Sequence, residues 1–396
     1  MSILRIITLA LLGAMMSILQ AKPFIPDHGD YVLERLPIKL FQSTASKKIK
    51  ALRTQLRINF DDWASANQLA QYYIELSKNL SDPRYMGYAQ TIINPWLEKS
   101  NPTTQVLILK AIIQQNAHDF TGAMKDLDKV LAIQPGHIQA NLIKATIATV
   151  QGNYSLSKHH CRQLMRRSSL FLALVCQSTP ASLSGNAEAS YKMLHQILLA
   201  GTAMPKDQQV WAWTSLAEIA WRLGYFEAAS QHFQAALQVG VQDHYLLRVY
   251  ADFLLQQRRP VEVIELISAD TQNDSLLLRL TLAEKNTHSK NFSTHVSLLQ
   301  ERFQLNRQRG SEFHKGDEAR FNLYILNQPQ TALKLSQQNW KIQREPADTY
   351  ILLESAIAAQ DLKTIVDVKK WLASHGTKDF LVESILSVMK RQGNDI

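Results

Sequence analysis

A repeat of 34 residues constrains this chain more than any other feature of its sequence. Small residues recur at that step in two series, within segments whose apolar residues are three and four positions apart. Such spacing is typical of helices with one buried face, and paired helices approach closely where one presents a small side chain. The sequence therefore predicts an all-α fold of antiparallel helix pairs. The first series is Ser77, Ala111 and Ala145, then Ala217 and Ala251; the second is Ala89, Ala123 and Ser157, then Ala229 and Val263.

Aromatic residues and glycines mark the junctions inside each pair. An aromatic residue opens the second helix at Phe120, Tyr154 and Phe226, and the turns before two of these carry Gly152 and Gly224. These residues resemble the tetratricopeptide repeat family, whose unit is a helix-turn-helix of 34 residues. The resemblance implies a right-handed superhelical solenoid of stacked helix pairs, in which neighbours cover each other's apolar faces. The layout also resembles uncharacterised exported bacterial repeat proteins, which implies no activity.

The repeats divide the chain into four predicted regions. Residues 1–21 form a signal peptide, 22–66 an N-terminal extension with a basic capping helix, and 67–273 the repeat array. Residues 274–396 form degenerate repeats and a C-terminal capping helix. No linker rich in Ser, Gly or Pro separates these last two regions, so one continuous superhelix is favoured over two domains.

The N-terminus has the order of a secretory signal. Arg5 precedes an uncharged apolar run of 14 residues, Ile6 to Leu19, and Ala21 is a small residue before a polar stretch. Because a membrane-spanning helix needs about 20 apolar residues, the pattern favours a cleaved signal, with an uncleaved anchor as the alternative. We expect a periplasmic or secreted protein, and no nucleic-acid partner.

All of the net charge of +9 lies in the first 200 residues, which hold 21 basic and 12 acidic residues against 22 of each in the remainder. Part of this excess is a predicted basic helix within 46–60. The helix is typical either of a membrane-surface helix or of a helix capping the first repeat, and capping is favoured. Its basic face would still suit an anionic envelope surface. Its basic residues are Lys47, Lys48, Lys50, Arg53 and Arg57.

No motif indicates an enzyme. The sequence has no GxSxG, HExxH, phosphate-binding glycine loop or CxxC, so no catalytic residue and no cofactor are predicted. The run His159-His160-Cys161 does not predict a metal site, because adjacent helical residues point about 100° apart.

The two cysteines, Cys161 and Cys176, fall on neighbouring helices of consecutive repeats. In an oxidising compartment facing cysteines favour a disulfide. The alternatives are two small core residues and, least favoured, a redox-active pair.

The tetratricopeptide resemblance also implies a binding groove, because in that family the first helices line the concave side. Aromatic and arginine side chains there are typical of binding hot spots. The alternative is that Trp211 or Trp221 belongs to the core. The family's groove positions correspond here to Trp211, Thr214, Glu218, Trp221, Arg222, Tyr245, Arg248 and Asp252.

These observations give two functional hypotheses. The first is an exported scaffold or adaptor that holds a protein or peptide of the cell envelope in its groove, for example as an assembly factor. The second is attachment of the basic N-terminal half to anionic lipid or polysaccharide.

Overall fold

A computed structural model of the protein describes residues 44–165, 168–201, 204–308 and 315–391. The predicted signal peptide lies outside the described residues. The chain divides into two compact units, Met1–Ala51 and Leu52–Ile396. All regular secondary structure in the described ranges is helical, which confirms the predicted all-α class.

The helices follow one another as antiparallel pairs, as predicted. Helix α1 (Thr44–Ile58) precedes them, and α20 (Phe380–Arg391) follows them. The earlier pairs are α2 (Trp63–Leu80) with α3 (Arg84–Leu97), α4 (Thr104–Asn116) with α5 (Phe120–Ile133), α6 (Ile138–Val150) with α7 (Tyr154–Leu164), and α8 (Leu170–Ala181) with α9 (Ala187–Leu199). The later pairs are α10 (Lys206–Arg222) with α11 (Phe226–Gln238), α12 (His244–Gln256) with α13 (Pro260–Ile267), α14 (Asp274–Thr287) with α15 (Phe292–Gln308), α16 (Lys315–Tyr324) with α17 (Pro329–Trp340), and α18 (Pro346–Ala358) with α19 (Leu362–His375).

The small residues that recur every 34 positions are all buried. Ala111 and Ala217 of the first series, and Ala123 and Ala229 of the second, have no exposed surface. The predicted aromatic residues begin α5, α7 and α11. The sequence pattern therefore corresponds to the contact surfaces between helices.

Polar side chains define where many helices begin. The carboxylate of Asp119 accepts a hydrogen bond from the Gly122 amide at 2.9 Å, and Asp243 accepts one from Leu246 at 2.9 Å. Such caps satisfy amides that have no partner inside the helix. In the turns between helices, Gly152 and Gly224 have φ angles of 77° and 80°, a conformation that favours glycine.

The break in the 34-residue spacing between α8 and α10 has a structural counterpart. A kink in the segment Ser182–Asn186 separates α8 from α9, with non-helical backbone angles at Ser184 and a φ of 88° at Gly185. Thr377 lies just beyond the end of α19, and its hydroxyl donates to the carbonyl of Leu183 at 2.6 Å. The irregular segment is therefore a contact between the middle repeats and the C-terminal repeats.

One hydrophobic cluster crosses residue 274 without interruption. It runs from Val210 to Phe321 and centres on Phe233 and Phe253, which are 0% and 1% exposed. Helix α10 also contacts α20. One shared cluster therefore links the last regular repeats to the first degenerate ones, while the final repeats around Tyr350 and Leu353 have a cluster of their own.

Candidate functional site

A cavity of about 440 Å³ lies among the first helices of five consecutive pairs, α10, α12, α14, α16 and α18, with α20 at one side. We call it the concave pocket. Its size falls in the range of about 300–1,000 Å³ that is usual for ligand sites. The lining residues are Glu218, Trp221, Arg222, Tyr245, Arg248, Val249, Asp252, Leu255, Gln256, Leu282, Lys285, Asn286, Arg320, Tyr324, Glu345, Pro346, Ala347, Tyr350, Glu354 and Leu381.

Six of the eight predicted groove residues line the pocket, and they differ in accessibility. Tyr245 is 43% exposed, whereas Trp221 is 9% and Arg222 is 5% exposed. The Trp221 indole N–H donates to Gln256 at 3.1 Å, and Arg222 donates to the Ser182 hydroxyl at 2.8 Å. Trp221 and Arg222 therefore form the wall of the pocket, while Tyr245 offers a surface to a partner. The other three predicted groove residues that line the pocket are Glu218, Arg248 and Asp252.

Trp211 and Thr214 do not line the pocket. Trp211 packs against the buried cluster that contains Cys161 and Cys176, and Thr214 is 2% exposed. Helix α10 contacts α8 as well as α12, and both residues precede the part of α10 that faces the pocket. Trp211 is thus a packing residue, the alternative left open by the sequence.

Sequence reasoning missed the half of the pocket supplied by the degenerate repeats. The signal that would have found it is the 34-residue step itself, continued past residue 274. One position in each first helix then falls in the pocket. We call these residues the pocket ladder: Glu218, Asp252, Asn286, Arg320 and Glu354.

Several carboxyl groups around the pocket already have internal donors. Tyr245 donates to Glu218 at 3.0 Å, and Tyr324 donates to Glu354. Burial raises the pKa of both glutamates, since a low-dielectric site disfavours their charged form.

Asp252 is held by a buried arginine behind the pocket. Arg279 is 1% exposed and donates from Nε and Nη2 to the two carboxylate oxygens of Asp252 at 2.9 and 3.0 Å. It also donates to Asp317. Burial alone would raise the pKa of Asp252, but the charges of Arg279 and Arg320 and the hydrogen bonds from Arg279 outweigh burial and lower that pKa.

The cations of the pocket differ in how fully they are engaged. Lys285 donates to the Tyr324 carbonyl, and Arg320 to the Ala347 carbonyl at 2.9 Å. The guanidinium of Arg248 lies 4.9 Å from the centre of the Tyr245 ring. Within the described part of the chain, it has neither a hydrogen bond nor an ion pair. The pocket therefore presents one planar cation whose N–H donors lack acceptors.

The predicted basic helix corresponds to α1, whose lysines Lys47, Lys48 and Lys50 are exposed. Arg53 and Arg57 are also exposed, and Arg53 donates from Nε to the Tyr73 hydroxyl at 2.6 Å. No helix in the described ranges is both long and apolar enough to cross a membrane.

The structure joins Cys161 of α7 to Cys176 of α8 in a disulfide, with the Cα atoms 5.5 Å apart. The neighbouring His160 bonds to the Asn141 side chain at 2.9 Å, and burial lowers its pKa to about 4. Across the described residues, no three His, Cys, Asp or Glu side chains are grouped to hold a metal ion.

We expect reduction of this disulfide to lower the free energy of unfolding by about 3 kcal/mol. A crosslink across about 15 residues restricts the unfolded chain by roughly that amount, and these cysteines are 15 residues apart. Urea unfolding of oxidised protein and of the Cys161→Ser/Cys176→Ser variant would measure the difference.

The oxidation state in cells is a separate measurement. Thiols would be blocked before lysis, and the mass of the 161–176 fragment determined. A variant lacking residues 1–21 is the matched control, because it should stay in a reducing compartment with both thiols free. Free thiols in the full-length chain would contradict the prediction.

Comparison with solved structures identifies the fold, whereas comparison of sequences finds no match. No protein-family model matches the sequence, and a search of curated proteins gave no match. Among solved structures, the chain is similar to one in the crystal structure of the APC/C hetero-tetramer Cut9-Hcn1, with a TM-score of 0.50 and 12% identity over 87% of this chain. It spans 66% of that chain, just under two thirds of its length.

Other solved structures resemble it less closely. A human IFIT1 dimer with PPP-AAAA has a TM-score of 0.44 and 12% identity, covering 85% of this chain and 88% of that one. Yeast Tom70 has a TM-score of 0.31 and 9% identity, and the match covers 89% of this chain and 93% of that one. The Cut9 comparison carries the conclusion that this chain has the tetratricopeptide-repeat fold, as the sequence pattern predicted.

Proposed function

We propose that this protein is a binding scaffold of the cell envelope, which holds a segment of a partner protein at the concave pocket and serves as an adaptor or assembly factor. The observation that carries the proposal is the pocket ladder, because it brings the same position of five repeats to one cavity. Repeat scaffolds bind through such continuous inner surfaces.

The accessible residues of the pocket have the chemistry of an interaction surface. Tyr245 is partly exposed beside Arg248, and tyrosine and arginine dominate binding hot spots. The predicted signal peptide and the two paired cysteines support a location outside the cytoplasm.

Photo-crosslinking in intact cells tests the proposal. A benzoylphenylalanine placed at Tyr245 should give a discrete adduct with one protein, and Arg248→Ala should weaken its capture by about tenfold, as expected for a hot-spot residue. The same photoreactive residue at Phe60, which is 83% exposed and outside the pocket, is the matched control. Absence of a protein adduct at Tyr245, or an adduct shared with Phe60, would refute binding at the pocket.

The alternative function is attachment through the basic helix. The exposed side chains of Lys47, Lys48 and Lys50 favour it, because exposed positive charge attracts anionic surfaces. In the same crosslinking experiment, lipid or glycan adducts at Phe60, without protein adducts at Tyr245, would support attachment instead.

A further inference from the structure

We propose that the concave pocket also binds a free small molecule, a monocarboxylic acid with an apolar or aromatic body. This inference goes beyond the scaffold function, since it requires no partner protein.

The shape of the pocket favours a compact ligand. Residues of α18 and α20, such as Tyr350 and Leu381, lie on the same cavity as residues of α10 and α12. The C-terminal repeats therefore close the groove that the regular repeats begin. A cavity of about 440 Å³ suits a molecule of metabolite size.

The polar groups of the pocket favour a carboxylate. Glu218 and Glu354 already accept hydrogen bonds from tyrosines, and Asp252 is held by Arg279. Arg248 is the group without acceptors among the described residues. A guanidinium presents parallel N–H donors that match the two oxygens of a carboxylate.

The charge around Arg248 disfavours a dianion such as a phosphate monoester. Burial alone would lower the pKa of Arg248, but electrostatic interactions with Tyr245 and Glu345 outweigh burial and raise it. Asp252 also contributes to raising that pKa. The carboxylates of Glu345 and Asp252 line the same pocket; they stabilise the positive charge of Arg248 and repel a second negative charge on the ligand.

The rest of the wall supplies an apolar surface. Leu255, Leu282 and Leu381 line the pocket together with Trp221. A ligand that places its carboxylate on Arg248 would lay its hydrocarbon part against these side chains, where apolar contact favours binding.

Calorimetric titration and thermal shift of the purified full chain test this inference. The probes are propionate, hexanoate, phenylacetate and indole-3-acetate, each with its neutral amide, and phenyl phosphate as the dianion. We expect at least one of the larger acids to bind and raise the unfolding temperature, with affinity at least about tenfold above its amide, because a charged hydrogen bond contributes about 1.5 to 3 kcal/mol.

The variant Arg248→Met should lose that binding by about tenfold or more. Lys192→Met removes one exposed positive charge outside the pocket and should bind as wild type does. Equal binding of acids and amides, binding retained in Arg248→Met, or no binding by any acid would overturn the inference.

Peptide probes in the same titration distinguish binding of a free acid from binding of a carboxylate that belongs to a protein. Peptides of three residues carry either a free C-terminus or an acidic side chain with an amidated C-terminus. Binding by peptides alone would assign the carboxylate to a partner protein and overturn the small-molecule site. The scaffold function is judged by cellular crosslinking, so either proposal can fail without the other.

Discussion

Replacing Arg279 with methionine is expected to lower the free energy of unfolding by about 3 to 5 kcal/mol, the usual loss when one member of a buried ion pair is removed. Arg279 is 1% exposed and bonds to Asp252, Asp317 and the Ser275 carbonyl. Without it, Asp317 and Asp252 both lose a buried charged partner, and the ion pair of Asp252 with Arg320, at 3.7 Å, remains. Urea unfolding, followed by circular dichroism and by hydrogen exchange in α14, measures the loss.

Two further variants make this prediction specific. Arg84→Met removes a pair with Asp82 in which the arginine side chain is 69% exposed, and exposed pairs contribute no more than about 1 kcal/mol. Combining Arg279→Met with Asp252→Asn should recover part of the loss, because the buried carboxylate that lost its bidentate partner is then neutral. A loss in Arg279→Met no greater than in Arg84→Met would mean that the buried network does not stabilise the fold.

Replacing Trp221 with alanine should also cost about 3 to 5 kcal/mol of stability, as large-to-small changes of buried aromatic residues do. Its ring meets Phe253 edge-on with centroids 5.6 Å apart, and Tyr350 at 6.4 Å. Truncation would remove contacts between α10, α12 and α18 together. Chemical unfolding of Trp221→Ala beside Trp221→Phe measures the effect, and the phenylalanine variant should retain much of the stability because it keeps an aromatic ring there.

The stability loss expected for Trp221→Ala affects the choice of variants for testing the pocket. A Trp221→Ala variant that loses a partner would not separate lost binding from lost folding. Tyr245 is more exposed, so substitutions there report on binding more directly. If Trp221→Ala proves as stable as the wild type, the indole is not part of the wall and belongs with the binding surface.

The sequence alone determined the repeated units. Their positions depend on local patterns: small residues such as Ala111 and Ala217 at helix contacts, ring residues such as Phe120 at helix starts, and Gly152 in a turn. These patterns act within one repeat or between adjacent repeats, so a single sequence displays them. The same local information was sufficient to place Glu218, Arg248 and the other pocket-lining groove residues on first helices.

Only the tertiary structure decided which of those residues face a common cavity and what lies opposite them. Trp211 and Trp221 are ten residues apart, so their side chains point about 80° apart around α10. The crossing of the helices places Trp211 in the packing beside α8 and Trp221 in the pocket wall. The closing residues, including Tyr324 and Glu354, lie in repeats whose pattern has degenerated. The 34-residue step marks Glu354 as an equivalent position. Whether it meets α10 depends on small rotations between successive helix pairs, which accumulate over several repeats and are set by side-chain packing.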